Sequence, residues 1–188
     1  MRAFISIDSS ITSNLKKIQS DILKTTNLSS NILKPVKEQN FHFTLLFLGE
    51  TSLDIINQVK SKLSEISFNQ IDINYQGIGV FPSFNFPKII WLGVSKESEL
   101  ELCKIFDMVY YKLKNLGFRQ EKKYTPHLTL FRIKNQVQEL SNIQNDLEKY
   151  KDKHFGKEII NSIHLKQSEL GSEGPNYSKL YTIYSQVS

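Results

Sequence analysis

The sequence predicts an α+β, bilobal fold: two strand–helix–strand–helix–strand halves related by a pseudo-twofold, with antiparallel sheets enclosing a central cleft. Three observations carry this. The apolar period switches between the two-residue repeat of a strand and the 3.6-residue repeat of a helix in the same order twice along the chain. The pattern His-x-Thr-Leu occurs at 42–45 and again at 127–130. The separations Ile5 to His42 and Ile90 to His127 are both 37 residues.

The first half opens with a buried strand over 2–8, and Ser9 and Ser10 mark a helix start. Ile11, Leu15, Ile18 and Ile22 then fall on one helical face. After Pro35 comes the β-rich run HFTLLFL, residues 42–48, ended by Gly49. Ser52 caps a second helix whose apolar face is Ile56, Val59, Leu63 and Ile66, and a strand over 71–80 closes the half. The second half repeats the order. A strand spans 88–94, and a long helix carries Leu102, Phe106, Val109, Leu113 and Leu116 and stops at Gly117. A strand over 127–133, a polar helix over 137–150 and a strand over 159–165 follow. A last strand, 180–187, has no counterpart, and GSEGPNY before it has turn composition. The chain is read as a single domain, 1–188, with lobes built from the repeats 1–80 and 87–188.

Of the 188 residues, 39% are hydrophobic and 23% charged, the balance of an ordinary globular protein. The net charge of +5 favours polyanionic partners. A single cysteine, Cys103, rules out an intramolecular disulfide, suits a reducing cytoplasm, and reads as a buried structural thiol. MRAFISIDSS turns polar too quickly for a signal peptide, and no apolar run reaches the roughly eighteen residues that cross a bilayer. A cytoplasmic monomer without membrane association is expected.

In a strand, side chains alternate between faces, so His42 and Thr44 point one way while Phe43 and Leu45 point the other. His127 and Thr129 stand in the same relation to Leu128 and Leu130. Each strand therefore buries one apolar face and offers a histidine and a hydroxyl on the other. Two halves facing one another bring these polar faces across a shared cleft. Imidazole titrates near pH 6.5, so one ring accepts a proton while its mate donates one. A threonine hydroxyl can donate a hydrogen bond to a phosphate oxygen held between them. The pair suits in-line displacement at phosphorus, with a bell-shaped pH profile around neutrality. A lone His-x-Thr more often marks a satisfied strand histidine; the matched pair in a chain with four histidines does not fit that reading. A metal would want further carboxylate or cysteine ligands, and neither motif has one at ligand spacing, so no metal is expected. Gly-rich phosphate loops and a nucleophile elbow are absent too.

The remaining candidates carry less. Strict alternation places Arg132 on the face opposite His127, so it reaches the cleft only across a bulge or past the strand end. Phe81, Phe84 and Phe86 crowd a loop with Pro82 and Pro87, where base stacking and core lining are equally good readings. His154 reads as a solvated loop residue and His164 as a satisfied surface histidine. Lys122 and Lys123 either steer a polyanion toward the second motif or serve as ordinary surface charge.

Taken together, MRAFISID, HFTLLFLGE at 42–50, GIGVFPSFNFPKIIWLGV at 77–94, YTPHLTLFRIK at 124–134 and LKQSELGSEGPNYSKL near the end resemble the 2H phosphoesterase superfamily. Within it they resemble most the RNA 2′,3′-cyclic phosphodiesterases, also called 2′-5′ RNA ligases. The resemblance covers essentially the whole chain. It implies a bilobal fold, no cofactor or metal, and hydrolysis of RNA ends carrying a 2′,3′-cyclic phosphate to a 2′-phosphate, with 2′-5′ ligation as the reverse type of reaction. It makes His42 the proton donor to the leaving 3′ oxygen, His127 the acceptor that activates water, and Thr44 and Thr129 the phosphate-binding hydroxyls. Two other readings keep both motifs: a 2H enzyme acting on 2′-5′ oligonucleotides or small cyclic nucleotide phosphates, and an RNA-binding module without turnover. The last has little use for two matched titrating groups.

Overall fold

The computed structural model describes residues 1–119, 123–134, 140, 142–172 and 174–186. Its elements are β1 (Arg2–Asp8), α1 (Thr12–Thr26), β2 (Leu33–Pro35), β3 (His42–Glu50), α2 (Leu53–Ser64), β4 (Ile71–Phe81) and β5 (Ile89–Val94), followed by α3 (Lys96–Leu113), β6 (Leu128–Ile133), α4 (Ile143–Glu148), β7 (His154–Ile160), β8 (Ser162–Gly171) and β9 (Gly174–Tyr184). The fold is α+β, and its strands pair antiparallel in the order β7-β4-β5-β6-β3-β1-β8-β9, with β2 added on β6.

The centre of that order is its weakest joint. β3 and β6 meet through one residue pair, Phe43 with Leu128, so the sheet reads as two halves that part on either side of this contact. Each half is assembled by exchange. β4, from the first repeat, lies beside β5, whereas β8, from the second, lies beside β1. Helices follow suit, α1 packing on β6 and β7 and α3 on β3 and β4. One continuous core of aliphatic and aromatic side chains fills the space between sheet and helices, including Ile5, Leu15, Phe43, Tyr75, Leu102, Val109, Leu130 and Phe131. The opposite face of the sheet is left for the cleft.

Local chemistry accounts for most boundaries. Ser52 and Ser95 cap α2 and α3 by accepting from the backbone N–H of Ile55 and Ser98, each at 3.3 Å. Asn27 and Gly117 take the left-handed conformation that ends a helix, at φ 52° and 91°. Ser9 and Ser10 do not cap α1, which begins at Thr12. Glu158 is buried and engages Ser10 instead: its Oε2 accepts from the Ser10 N–H at 2.7 Å and from the Ser10 hydroxyl at 2.6 Å. Tyr75 completes the network with a short hydrogen bond to Glu158 and another to Ser9. A buried carboxylate without such donors would cost several kcal/mol, which outweighs the roughly 1 kcal/mol of a cap.

Three expectations about the second half need correction. The strand expected over 159–165 is two strands meeting at Asn161, because β7 pairs with β4 and β8 with β1, on opposite halves of the sheet. The turn composition extends past the turn: Gly171 pairs with Gly174, and Pro175, Asn176 and Tyr177 already belong to β9. Of the helix expected over 137–150 the described residues are 140 and 142–150, of which Ile143–Glu148 form α4; residues 137–139 and 141, like Val187 of the last strand, lie outside the described residues. β2 was not anticipated, being three residues long and ending on Pro35, whose missing N–H is tolerated at an edge. Cys103 is only half-buried.

Candidate active site

The antiparallel pair Phe43–Leu128 sets His42 across from Thr129 and Thr44 across from His127. Phe43 and Leu128 are fully buried on the core side, while the two histidines and two threonines are half-buried on the cleft side. All four candidate residues thus share one face at the joint between the sheet halves.

Both imidazoles are held the same way. Nδ1 of His42 donates to the carbonyl of Asn40 at 2.7 Å, and Nδ1 of His127 donates to that of Thr125 at 2.8 Å. A carbonyl only accepts, so each Nδ1 carries a proton and each neutral ring keeps its lone pair on Nε2. Nε2 of His42 lies 3.1 Å from the Thr44 hydroxyl. Burial, reinforced by the charges of Lys166 and Arg132 and opposed by Asn40 and Asp8, pushes His42 down to about 4. His127 is lowered too, chiefly by burial and then by Arg132, against the pull of the Thr125 carbonyl.

The walls differ. Beside His127, Phe81 stacks on Trp91 at 5.0 Å and presents its ring to the edge of the imidazole at 4.9 Å. Trp91 lies flat across Gly79, where a Cβ would stand 2.3 Å from the indole. Phe81 thus lines the site, and Phe86 is an exposed loop residue. Beside His42, Phe4 and Tyr177 approach the ring at 5.2 and 5.3 Å. Behind them lies a charged cluster. Asp8 accepts from Lys166 and, at 2.9 Å, from Lys179, and His164 Nε2 stands 3.5 Å away. Burial alone would raise the Asp8 carboxyl, but the two lysines hold it below the usual carboxylate range. His164 is therefore buried and not on the surface, at 4% exposure, with Nδ1 2.9 Å from the Thr182 hydroxyl. His154 is exposed at the start of β7. Lys123 is exposed, and Lys122 lies outside the described residues.

Arg132 does reach the cleft. Pairing of β5 with β6 slips by one residue between Phe131 and Thr129, so Leu130 is an inserted bulge residue and alternation reverses after it. Leu130 and Phe131 are both buried, and Arg132 is exposed on the face of His127 and Thr129. Its guanidinium lies close enough to Tyr177 to oppose the upward push that burial gives the Tyr177 hydroxyl. Sequence reasoning missed Tyr177 because residues 171–177 read as turn; Asn-Tyr-Ser-Lys-Leu-Tyr after the Pro, with aromatics at 177 and 181, was the available signal of a strand. Among the described residues, no group of three or more His, Cys, Asp and Glu side chains comes together as a metal site.

Comparison with known proteins agrees with this geometry. The model of the AKAP7 2′5′ RNA ligase-like domain matches residues 3–188. An RNA 2′,3′-cyclic phosphodiesterase of Archaeoglobus fulgidus is 36% identical over 96% of this chain and 98% of its own length. Another protein of that name, from Aeropyrum pernix, is 37% identical over 80% of this chain and 85% of its own. In three dimensions the chain is similar to E. coli LigT complexed with 3′-AMP, with a TM-score of 0.77 at 19% identity, covering 99% of this chain and 98% of that one. The chain belongs to the 2H phosphoesterase superfamily and, within it, to the family of RNA 2′,3′-cyclic phosphodiesterases.

Proposed function

We propose that the chain hydrolyses the 2′,3′-cyclic phosphate at an RNA end to a 2′-phosphomonoester, without a metal, by acid/base catalysis between His42 and His127. The observation that carries this reading is the matched pinning of the two rings: each Nδ1 is spent on a backbone carbonyl, so each Nε2 is the atom left to exchange protons in the cleft. Water attacks phosphorus opposite the 3′ oxygen and gives a proton to His127 Nε2. The P–O3′ bond breaks, and His42 Nε2–H protonates the departing O3′. The histidines end with their charges exchanged, and solvent resets them. Thr44, Thr129 and Arg132 hold the non-bridging oxygens, where a guanidinium forms the strong, charge-assisted kind of hydrogen bond. A phosphate anion between the rings favours the charged imidazole that burial otherwise disfavours, so substrate itself charges the proton donor.

Incubation with a nucleoside 2′,3′-cyclic phosphate and EDTA, resolving the two product isomers, tests this. The expected product is the 2′-phosphate alone. A 3′-phosphate would reverse the leaving group, and activity restored only by added metal would remove the two-histidine scheme.

A further inference from the structure

β8 and β9 extend the sheet beyond β1, and register carries the face of His42 outward along them. Asp8 stands opposite His42, and Ser6 stands opposite both Thr44 and His164. Phe4, whose ring touches His42, stands opposite Lys166. On β9, Thr182 stands opposite His164 and Lys179 opposite Lys166. Residues directly opposite one another in an antiparallel pair share a face. Asp8, His164, Lys166, Lys179 and Thr182 therefore stand on the cleft side, next to the first histidine.

The charges there do not balance. Asp8 accepts from Lys166 and, at 2.9 Å, from Lys179, and among the described residues it is the one carboxylate paired with either lysine. His164 adds no charge. Lys179 Nζ lies 3.3 Å from its Nε2, and an ammonium only donates, so Nε2 accepts and the ring is neutral. Its Nδ1–H is given to Thr182 at 2.9 Å. Two ammonium groups thus face one carboxylate, with Lys166 buried at 3% exposure. An unbalanced charge in such a place is costly unless an anion joins it. Lys179 is where an anion can arrive, its side chain being 52% exposed. The wall beside His127 is formed instead by the rings of Phe81 and Trp91.

This asymmetry matches the two sides of the reaction. His42 protonates O3′, so the ribose lies on the His42 side of phosphorus and the attacking water on the other. The 5′ carbon belongs to the same ribose, so the next phosphate of an RNA chain leaves toward the wall of Lys179. We infer that Lys179, held by Asp8 and backed by Lys166, forms a subsite for the phosphate on the 5′ side of the terminal nucleotide, an inference that rests on the phosphodiesterase reading of the site. Two hydrogens of its ammonium serve Asp8 and His164, and the third is left for a phosphate oxygen. The subsite favours the end of an RNA chain over a lone nucleoside cyclic phosphate, whatever the base.

The test compares adenosine 2′,3′-cyclic phosphate with its 5′-phosphorylated form in the wild type, Lys179→Ala and Lys179→Arg, read as the ratio of kcat/KM values. A hydrogen bond between charged groups at a half-exposed site is worth about tenfold. The wild type is expected to prefer the 5′-phosphorylated substrate by that factor, Lys179→Ala to lose the preference and Lys179→Arg to keep it. Added salt should erode the wild-type ratio and leave that of Lys179→Ala unchanged. Equal kcat/KM values in the wild type, or a preference that survives Lys179→Ala, would overturn the subsite. If the wild type turns over neither substrate, the phosphodiesterase reading fails, and calorimetry of adenosine 2′,5′-bisphosphate against adenosine 2′-monophosphate decides the subsite by itself. Tighter binding of the bisphosphate that Lys179→Ala abolishes supports it; equal affinities, or a difference the variant retains, overturn it.

Discussion

Two imidazoles that burial makes harder to protonate than a free ring set the behaviour expected of individual residues. The paired motif alone suggests a rate profile centred near neutrality, but burial moves His42 down to about 4 and His127 down as well. The kcat/KM profile reports the free enzyme and requires one ring charged and one neutral. Its maximum is therefore expected below pH 6.5, with about a tenfold loss per pH unit on the alkaline side once both rings are neutral. The kcat profile should lie closer to neutrality, because the bound phosphate anion raises both rings. Initial rates between pH 4 and 9 measure both, and a kcat/KM maximum at pH 7.5 or above would contradict the assigned environments. At this scale the sequence was most legible. His42, Thr44, His127 and Thr129 follow from alternation and repetition, because a period-two pattern fixes faces over a few residues. Arg132 and Tyr177 did not follow, since each depends on where alternation fails or where a strand begins.

Those failures belong to single elements. The bulge at Leu130 is held from outside its own strand, by a polar side chain that interrupts the apolar face of α1. Gln19 is buried, and its Nε2 donates to the Leu130 carbonyl at 2.8 Å and to that of Val36 at 3.0 Å; the Val36 N–H also donates to Leu130 at 2.9 Å. Replacing Gln19 with Leu removes a donor from a buried carbonyl and is expected to cost about 1 to 3 kcal/mol. Because the bulge aims Arg132, kcat/KM for a cyclic phosphate should fall too. Urea denaturation and steady-state kinetics on Gln19→Leu check both. Loss of stability with full activity would separate Gln19 from the aim of Arg132. A glutamine among Leu15, Ile18 and Ile22 reads in sequence as an imperfection of the helical face; only the partner strand shows its use. The missing cap at Ser10 has the same origin, a tertiary carboxylate 148 residues away that outweighs a local bond.

At the scale of the whole molecule, the repeat is real but does not delimit a folding unit. β1 needs β8 at its outer edge and β4 needs β5, so each repeat completes its sheet with a strand of the other. Residues 1–80 expressed alone would expose the long edges of β1 and β4 and lose the contacts of α1 with β6 and β7. That fragment is expected to aggregate or remain unfolded, as read by circular dichroism and sedimentation. A folded monomeric fragment with native-like strand content would contradict the exchange. Sequence periodicity gave the order of elements but not the pairing of β1 with β8, which spans more than 150 residues and leaves no local pattern. Exchange also explains why the site is shared. The single Phe43–Leu128 contact lets each half carry one histidine and one threonine while the remaining strands hold the halves rigidly around them.

The division of labour between the histidines is the central claim, and a leaving group that needs no proton tests it most directly. His42→Ala and His127→Ala should each lose two to four decades on the ordinary cyclic phosphate, the usual scale for a general acid or base. With sulfur in place of the 3′ oxygen, the departing thiolate needs little protonation. His42→Ala should then recover most of its rate, while His127→Ala, still lacking the base that activates water, should not. Recovery by His127→Ala alone would exchange the two roles, and recovery by neither would contradict the acid/base pair itself.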